Sequence, residues 1–266
     1  MNIKVTSYEG FKNQIGACIL IETDRGNFLL DCGLRENIPI LTEPISLPFS
    51  AKDIDAVFLS HGHLGHCGFL PELMKNGFAG KIYCTAPTKS RAYLGLLEAS
   101  LVQSEGFVRS QKRMQASEEL TTSPFYSKDL VEKTQGFIEE INYNETFQSS
   151  EGISVTYFSA GHCPGSAIIK MNISNDQQTK TILYLGDVGN NDNDLYHPQI
   201  LNESYDVVIL PRLTEKDTHP QDTAQQLCEI INQAHKKTGN VIISAFSLDR
   251  RIELMHIIDD LLVKDL

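Results

Sequence analysis

Three histidines lie close together in the segment SHGHLGHCG, residues 60–68. His61 and His63 are two residues apart, so in a turn both imidazoles can face one metal ion. His66 begins the next predicted helix and faces a slightly different point. Zinc prefers imidazole nitrogen, with carboxylate or water oxygen completing the site. The spacing predicts a metal site, although Gly65 stands where chemistry of this kind usually uses a carboxylate.

Two further segments share this design, in which an apolar strand ends and a potential ligand follows. VTYFSAGHCPGS presents His162, and ILYLGDVGN presents Asp187. Loops at strand ends are where a rigid scaffold can bring ligands to one point. We therefore expect both residues to join His61 and His63 at one ion. Asp31, in LLDCG, is predicted to organise the surrounding loop rather than to bind metal directly.

The rest of the sequence predicts the elements that would carry these loops. Apolar runs bounded by turn residues predict strands, and residues 87–141 are predicted to be largely helical. Within them, SKDLVEKTQGFIEEI has apolar residues at helical spacing from Leu130 to Ile141. A helix after Pro220, the strand NVIISAF and a last helix from about Arg250 follow. This order indicates an α/β sandwich. The predicted strands are IKVTSY, GACILIET, NFLLDCG, DAVFLS, ISVTYFSAG, SAIIKMNI, KTILYLGD and DVVILP.

Composition limits the classes of partner and compartment. The chain has 266 residues, 41% hydrophobic, and a formal net charge of −11, which is unlike the basic surface of a protein that binds nucleic acid mainly through phosphates. A polyanion would have to be held locally, by a metal or by Arg250 and Arg251. The six cysteines form no CxxC pair and predict reduced thiols in the cytoplasm, or the nucleus of a eukaryote. No membrane segment is predicted.

These motifs, in this order, resemble the metallo-β-lactamase superfamily, and within it the β-CASP nucleases typified by the endonuclease of the cleavage and polyadenylation machinery. The HxHxDH signature matches residues 61–66, and LLDCG, GHCPGS and YLGD match three further motifs. The tail SAFSLDRRIEL resembles a β-CASP segment. The resemblance implies an αββα sandwich that is incomplete at its C-terminus, with residues 1–210 forming the metallo-β-lactamase-like domain and residues 211–266 beginning a β-CASP-like domain.

Three departures from the family pattern affect the catalytic apparatus. Gly65 replaces an aspartate that binds the second metal, and Pro211 replaces an acidic residue that follows the strand DVVIL. The chain also ends at Leu266, within the segment that resembles the start of the β-CASP insert. We expect one zinc ion at the first site and an impaired second site that keeps only His66 and a share of Asp187. We also expect exposed apolar surface, and therefore self-association or a protein partner.

The resemblance implies three functions that remain open at this point. The first is a zinc-dependent RNA phosphodiesterase, weak or inactive as this chain, with RNA as its substrate. Its metal ligands would be His61, His63, His66, His162 and Asp187, and its catalytic residues Asp187, His66 and Asp31. The second is an inert binding subunit of an RNA-processing complex, which Gly65 and Pro211 favour. The third is a hydrolase of small molecules such as thioesters, since the core of this fold serves many substrates.

Overall fold

The computed structural model describes residues 1–10, 14–35, 47–114, 126–189, 195–210, 223–245 and 248–263. The chain divides into two compact units, Met1–Pro211 and Arg212–Leu266. All of the predicted metal ligands lie in the first unit. The assignment of the second unit to a β-CASP-like domain stays a prediction.

The first unit contains a six-stranded sheet in the order β1-β2-β3-β4-β5-β6. The first three strands are antiparallel neighbours, and β3 to β6 run parallel to one another. Parallel neighbours need crossover connections, which the helices supply: α1 and α2 join β4 to β5, and α3 and α4 join β5 to β6. The strands are β1 (Ile3–Ser7), β2 (Ile19–Thr23), β3 (Gly26–Leu30), β4 (Ala56–Phe58), β5 (Lys81–Cys84) and β6 (Ile138–Glu140). The helices are α1 (Leu64–Cys67), α2 (Leu70–Lys75), α3 (Ala86–Met114) and α4 (Lys128–Gln135).

A second sheet of five strands has the order β11-β10-β9-β8-β7. Both β8 and β10 pair with β9 in antiparallel fashion, so these two strands run in the same direction and end at the same edge. β11 is parallel to β10. The strands are β7 (Thr146–Ser150), β8 (Ile153–Ser159), β9 (Ala167–Ser174), β10 (Thr179–Tyr184) and β11 (Val207–Ile209).

Alternation along the strands of the first sheet builds separate cores on its two faces. In β3, Phe28 and Leu30 face the second sheet, whereas Leu29 faces the helices, because successive side chains of a strand point to opposite faces. The core between the sheets also buries Tyr157, whose hydroxyl donates to the backbone oxygen of Tyr83 at 3.0 Å. The core beneath the helices includes Leu70, Leu73, Leu96 and Val131. The predicted α/β class with packed sheets is confirmed.

Four of the predicted site residues follow strand ends. Asp31 follows β3, His61 follows β4, His162 follows β8 and Asp187 follows β10. The carboxyl ends of the parallel strands β3 and β4 share one edge of the first sheet, and the ends of β8 and β10 share one edge of the second. The packing of the two sheets brings these edges together, since the Tyr184 hydroxyl at the end of β10 reaches Asp31 at 2.6 Å.

The helix predicted from Leu130 to Ile141 is wrong in its second half. α4 begins after Ser127, whose side chain accepts from the Leu130 backbone nitrogen, and ends at Gln135. Gly136 then terminates the helix, and Ile138–Glu140 form strand β6 beside β5. The apolar positions Phe137 and Ile138 suit a helical repeat and a buried edge strand equally well, so their periodicity could not distinguish the two. Strands β5 and β7 were not predicted from the sequence.

The second unit contains α5 (Thr223–Lys236) and α6 (Leu248–Val263), as predicted. The strand predicted for NVIISAF is wrong for its described part, because residues 241–245 form no strand and Ile242 is 94% exposed. A β-strand requires a hydrogen-bonded neighbour, and no described residue pairs with this segment. Arg250 forms an ion pair with Glu253 at 3.0 Å. Pro211 lies outside the described residues. No described helix is both long and apolar enough to cross a membrane.

Two glycines allow backbone segments to touch directly beside the ligand loops. A Cβ at Gly33 would overlap the carbonyl group of Gly65, and a Cβ at Gly189 would overlap the carbonyl group of Gly161. Gly33 follows Asp31 by two residues and contacts the peptide that precedes His66. Gly189 follows Asp187 by two residues and contacts the peptide that precedes His162. Backbone atoms cannot rotate away as a flexible side chain can, so these contacts fix the loops.

We expect Gly33→Ala to destabilise the fold by about 1–3 kcal/mol or more, because overpacking against fixed atoms forces the backbone to shift. Urea unfolding would measure the loss. Gly136→Ala is the matched control: Gly136 has a φ of −67°, and its added Cβ would meet its nearest neighbour, Lys133 O, at an ordinary 3.4 Å. Equal stability of the Gly33→Ala variant and the unsubstituted chain would contradict the described contact.

Candidate metal centre

Four side chains converge at the carboxyl ends of the strands. One ligand atom from each of His61, His63, His162 and Asp187 lies within 4.8 Å of every other. His61 Nε2 is 3.1 Å from His63 Nδ1, which is 3.4 Å from His162 Nε2. Asp187 Oδ2 lies 3.7 Å from His61 Nε2 and 3.8 Å from His162 Nε2. These three imidazole nitrogens and one carboxylate oxygen are placed so that they could hold a metal ion.

His61 is held in the neutral form that binds metals. The side chain is fully buried. Burial, followed by the neighbouring histidines, keeps the pKa of His61 well below its ordinary value. Its Nδ1 lies 3.0 Å from Ser60 Oγ, which itself donates to Asp31 Oδ2 at 2.7 Å. The Ser60 hydroxyl donates its proton to Asp31, so Ser60 Oγ can accept a hydrogen bond from His61 Nδ1–H. The lone pair of His61 Nε2 then faces the other potential metal ligands.

Asp31 lies beneath the cluster and is completely buried. Its carboxylate accepts four hydrogen bonds: from Ser60 N and Ser60 Oγ at 2.7 Å each, from His66 Nδ1 at 2.7 Å and from the Tyr184 hydroxyl at 2.6 Å. Its φ of 60° is a left-handed conformation that aspartate tolerates better than most residues. Asp31 is not in the converging group, and its contacts are those of a residue that orients the ligands' neighbours.

His66 lies between two carboxylates. Burial by itself would lower the pKa of His66, but the charges of Asp31 and Asp187 and their hydrogen bonds outweigh it and raise that pKa to about 10. His66 Nδ1 donates to Asp31, and His66 Nε2 lies 3.5 Å from Asp187 Oδ2. Burial would raise the pKa of Asp187, but the hydrogen bond and charge of His66 lower it, so the Asp187 carboxylate is ionised at neutral pH. In the metal-free chain, His66 is therefore a buried cation.

Gly65 contributes its backbone to the structure. The residue lies in α1, and its carbonyl oxygen accepts from the Ala17 nitrogen at 2.8 Å. A glycine offers no side-chain ligand, so His66 and Asp187 are the predicted second-site residues that remain. His66 has one of its two ring nitrogens already engaged by Asp31.

The predicted residues are therefore brought together in two groups. His61, His63, His162 and Asp187 form the converging cluster, while Asp31 and His66 form the hydrogen-bonded support beside it. Ser60 and Tyr184, which donate to Asp31, were not predicted from the sequence. Ser60 directly precedes His61, and Tyr184 is the last residue of the strand that leads to Asp187. Both therefore lie at strand ends, as the predicted ligands do. Their polar groups were the available signal.

We expect the metal-free chain to lose stability as the pH rises from about 6.5 to 8.5. The raised pKa of His66 means that its stabilisation is complete below the unfolded value near 6.5 and disappears as the pH approaches about 10. One proton gives a slope of up to about 1.4 kcal/mol per pH unit. The thiols of the buried cysteines begin to ionise in the unfolded chain within this range, and the buried neutral His61 also contributes, so the His66 contribution is the difference from a variant that lacks its proton.

Urea unfolding at several pH values would measure this slope in the chelator-treated chain, with His66→Gln as the comparison. Glutamine can still donate to a carboxylate but carries no ionisable proton, so the stability of the unsubstituted chain should fall relative to that of His66→Gln over this range, while contributions from His61 and the buried cysteines are common to both proteins. An equal slope in both proteins would show that His66 is not the group responsible.

Comparison with known proteins gives a consistent family assignment. Ribonuclease TTHA0252 of Thermus thermophilus is 25% identical over 258 residues, covering 96% of this chain and 54% of the relative. The protein named Probable RNase MJ4 of Methanocaldococcus jannaschii is 31% identical over 262 residues, covering 95% and 56%. Transcription termination factor FttA of the same organism is 27% identical over 274 residues, covering 96% and 39%. The chain thus spans about half or less of these curated relatives.

The relatives' names are consistent with a β-CASP family of RNA-processing nucleases. The family described as "Metallo-beta-lactamase superfamily" matches residues 13–199. This range contains every residue of the converging cluster together with Asp31 and His66. The chain belongs to the metallo-beta-lactamase superfamily.

Proposed function

We propose that this chain is the metal-binding part of a zinc-dependent hydrolase that cleaves phosphodiester bonds in RNA. The observation that carries the proposal is the convergence of His61, His63, His162 and Asp187 within 4.8 Å. The ribonuclease names of the relatives support RNA as the substrate. The net charge of −11 opposes a polyanion at long range, so we place the affinity for RNA at the site itself.

The donor set and its dimensions fit zinc. Zinc in a tetrahedral site lies about 2.0–2.1 Å from each nitrogen, which sets neighbouring ligand atoms roughly 3.3–3.4 Å apart. Four of the separations in the cluster, 3.1, 3.4, 3.7 and 3.8 Å, lie close to that value, and all lie within 4.8 Å. Three neutral imidazoles and one carboxylate suit zinc better than the oxygen-rich sites of magnesium or calcium.

The chain's own residues have separate tasks in this proposal. A bound zinc ion supplies a water of lowered pKa and polarises a phosphoryl oxygen. His61, His63 and His162 would hold the ion, and the ionised Asp187 carboxylate would complete the set and could accept a hydrogen bond from a water molecule at the site. His66 Nε2–H faces the same carboxylate and holds its orientation. Hydrolysis would form a bond from the water oxygen to phosphorus and break the bond from phosphorus to the leaving oxygen, and the leaving oxygen would take up the proton that the water loses.

Gly65 favours a second candidate, a binding subunit that retains RNA affinity without cleavage. In two-metal phosphodiester hydrolysis the pair of ions stabilises both the attacking and the leaving oxygen. Of the residues predicted for the second ion, His66 and a share of Asp187 remain, and His66 is engaged by Asp31. Weak activity or none is therefore compatible with an intact first site. Association with a protein partner, which would suit either candidate, is also part of this proposal.

We expect one tightly held zinc ion per chain. Elemental analysis after dialysis should give a single ion for the unsubstituted chain and much less for His63→Ala, which lacks one nitrogen of the first site. Gly65→Asp should add affinity for a second ion, because it supplies a carboxylate next to His66. Two ions that survive dialysis of the unsubstituted chain, or no gain in Gly65→Asp, would contradict the roles assigned to Gly65 and the two sites.

Cleavage of a fluorescent single-stranded RNA, with the chain in excess and zinc present, tests the activity. Asp187→Asn should lower the rate by more than about 100-fold, since losing a direct ligand should cost more than the 10–100-fold typical of its outer partners. Asp206→Asn is the control, because Asp206 is an exposed carboxylate that pairs with Lys180.

The outcomes separate the two candidates. Zinc-dependent cleavage that Asp187→Asn abolishes and Asp206→Asn preserves supports the hydrolase. RNA binding without any cleavage supports the binding subunit. Cleavage at equal rates in all three proteins would contradict the proposed site.

A further inference from the structure

The loop that carries His162 is held by hydrogen bonds of its own backbone. The His162 side chain is 30% exposed, whereas His61 is fully buried, so burial restrains the His162 imidazole less. Ser166 Oγ accepts from the backbone nitrogens of His162 and Cys163 at 3.0 and 3.1 Å. The Ser166 nitrogen in turn donates to Cys163 O at 3.0 Å. The loop of residues 161–166 is thus closed on itself by Ser166.

The peptide between Gly165 and Ser166 is held from outside this loop. The Thr85 hydroxyl donates to Gly165 O at 2.8 Å, and the Thr88 hydroxyl donates to the same oxygen at 2.9 Å. The carbonyl and the Ser166 N–H belong to one planar peptide and point in opposite directions. Fixing the oxygen against two hydroxyls therefore orients the N–H that reaches Cys163.

Both threonines are built into this contact. Thr85 is 3% exposed and Thr88 is 0% exposed, about 80 residues away from Gly165 in the sequence. Gly165 has a φ of +84°, and a Cβ there would lie 2.6 Å from Thr85 Oγ1 and 2.8 Å from Thr88 Oγ1. Glycine is thus required both by the turn and by the approach of the two hydroxyls.

The same helix also contacts the other ligand loop. Thr85 joins β5 to α3, and Thr88 lies in the first turn of α3. One turn further on, Gly62, between His61 and His63, packs so closely on α3 that an added Cβ would lie 2.8 Å from Ala92 N. The beginning of α3 therefore contacts the loops of three of the four converging ligands.

We propose that Thr85 and Thr88 are positioning residues for His162: their paired hydroxyls fix the Gly165 carbonyl, and α3 thereby sets the His162 loop relative to the loop of His61 and His63. The inference rests on the proposed function, because it assigns these threonines a role in metal binding. It predicts that removing the two hydroxyls lowers the affinity for zinc without unfolding the chain.

Zinc affinity, measured by competition with a chromophoric chelator, tests this role. Thr85→Val and Thr88→Val keep the side-chain shape and remove the donors. The double variant should bind zinc 10–100-fold more weakly, as is typical when an outer partner of a metal ligand is lost. Each single variant should lose less, since one hydroxyl remains. Thr85→Ser and Thr88→Ser should restore the affinity.

Thr134→Val is the matched control. Thr134 is also fully buried, and its hydroxyl donates to the Leu130 carbonyl at 2.7 Å within α4. Thr134→Val should lose folding stability comparable to that lost by the threonine variants of the proposed contact, and it should keep the zinc affinity of the unsubstituted chain. Unchanged affinity in the double variant, or an equal loss in Thr134→Val, would overturn the proposal.

A second measurement separates this inference from the proposed function. In the metal-free chain, the imidazole NMR signals of His162 should shift or broaden in the double valine variant and remain unchanged in Thr134→Val. If the unsubstituted chain binds no zinc, the proposed function is wrong, and these signals still decide whether the threonines position His162. Unchanged His162 signals in the double variant would overturn the inference.

Discussion

The hydrogen bonding of the buried Asp31 carboxylate is the interaction on which the rest of the site depends. A buried charge is costly unless it is fully hydrogen-bonded, and this one accepts bonds from Ser60 N, Ser60 Oγ, His66 Nδ1 and the Tyr184 hydroxyl. These donors come from the end of β4, from α1 and from the second sheet. One side chain therefore ties together the elements that carry the converging ligands.

This arrangement explains why a glycine at position 65 is compatible with an intact first cluster. The four converging donors are supported through Ser60, Asp31 and the loop backbones, and none of those supports uses a side chain at position 65. The positive charge of His66 lies between the carboxylates of Asp31 and Asp187 and offsets their negative charges. What the chain gives up is a donor for a second ion, so the first site and the second are structurally separable.

Much of this organisation could be predicted from sequence, because it depends on local patterns. Apolar strands followed at once by His or Asp predicted the ligand loops, and most strand positions followed from short apolar runs. Partners distant in sequence could not be predicted: Tyr184 meets Asp31 across 153 residues. Two periodic segments were also misleading. Gly136 ends α4 before Ile138, which was predicted to be helical. The segment around Ile242 has the composition of a strand, but no described strand pairs with it and Ile242 is exposed.

The direct backbone contacts of Gly33 and Gly189 have a kinetic consequence. Because these glycines press on the peptides preceding His66 and His162, the backbone that carries the histidines is set by the fold before any ion arrives. An incoming ion then has to exchange its water molecules for ligands already in place, with no folding step to wait for. In the proposed site, loading should proceed at a rate governed by dehydration of the ion and diffusion to the site, and removal of the ion by a chelator should leave the chain folded.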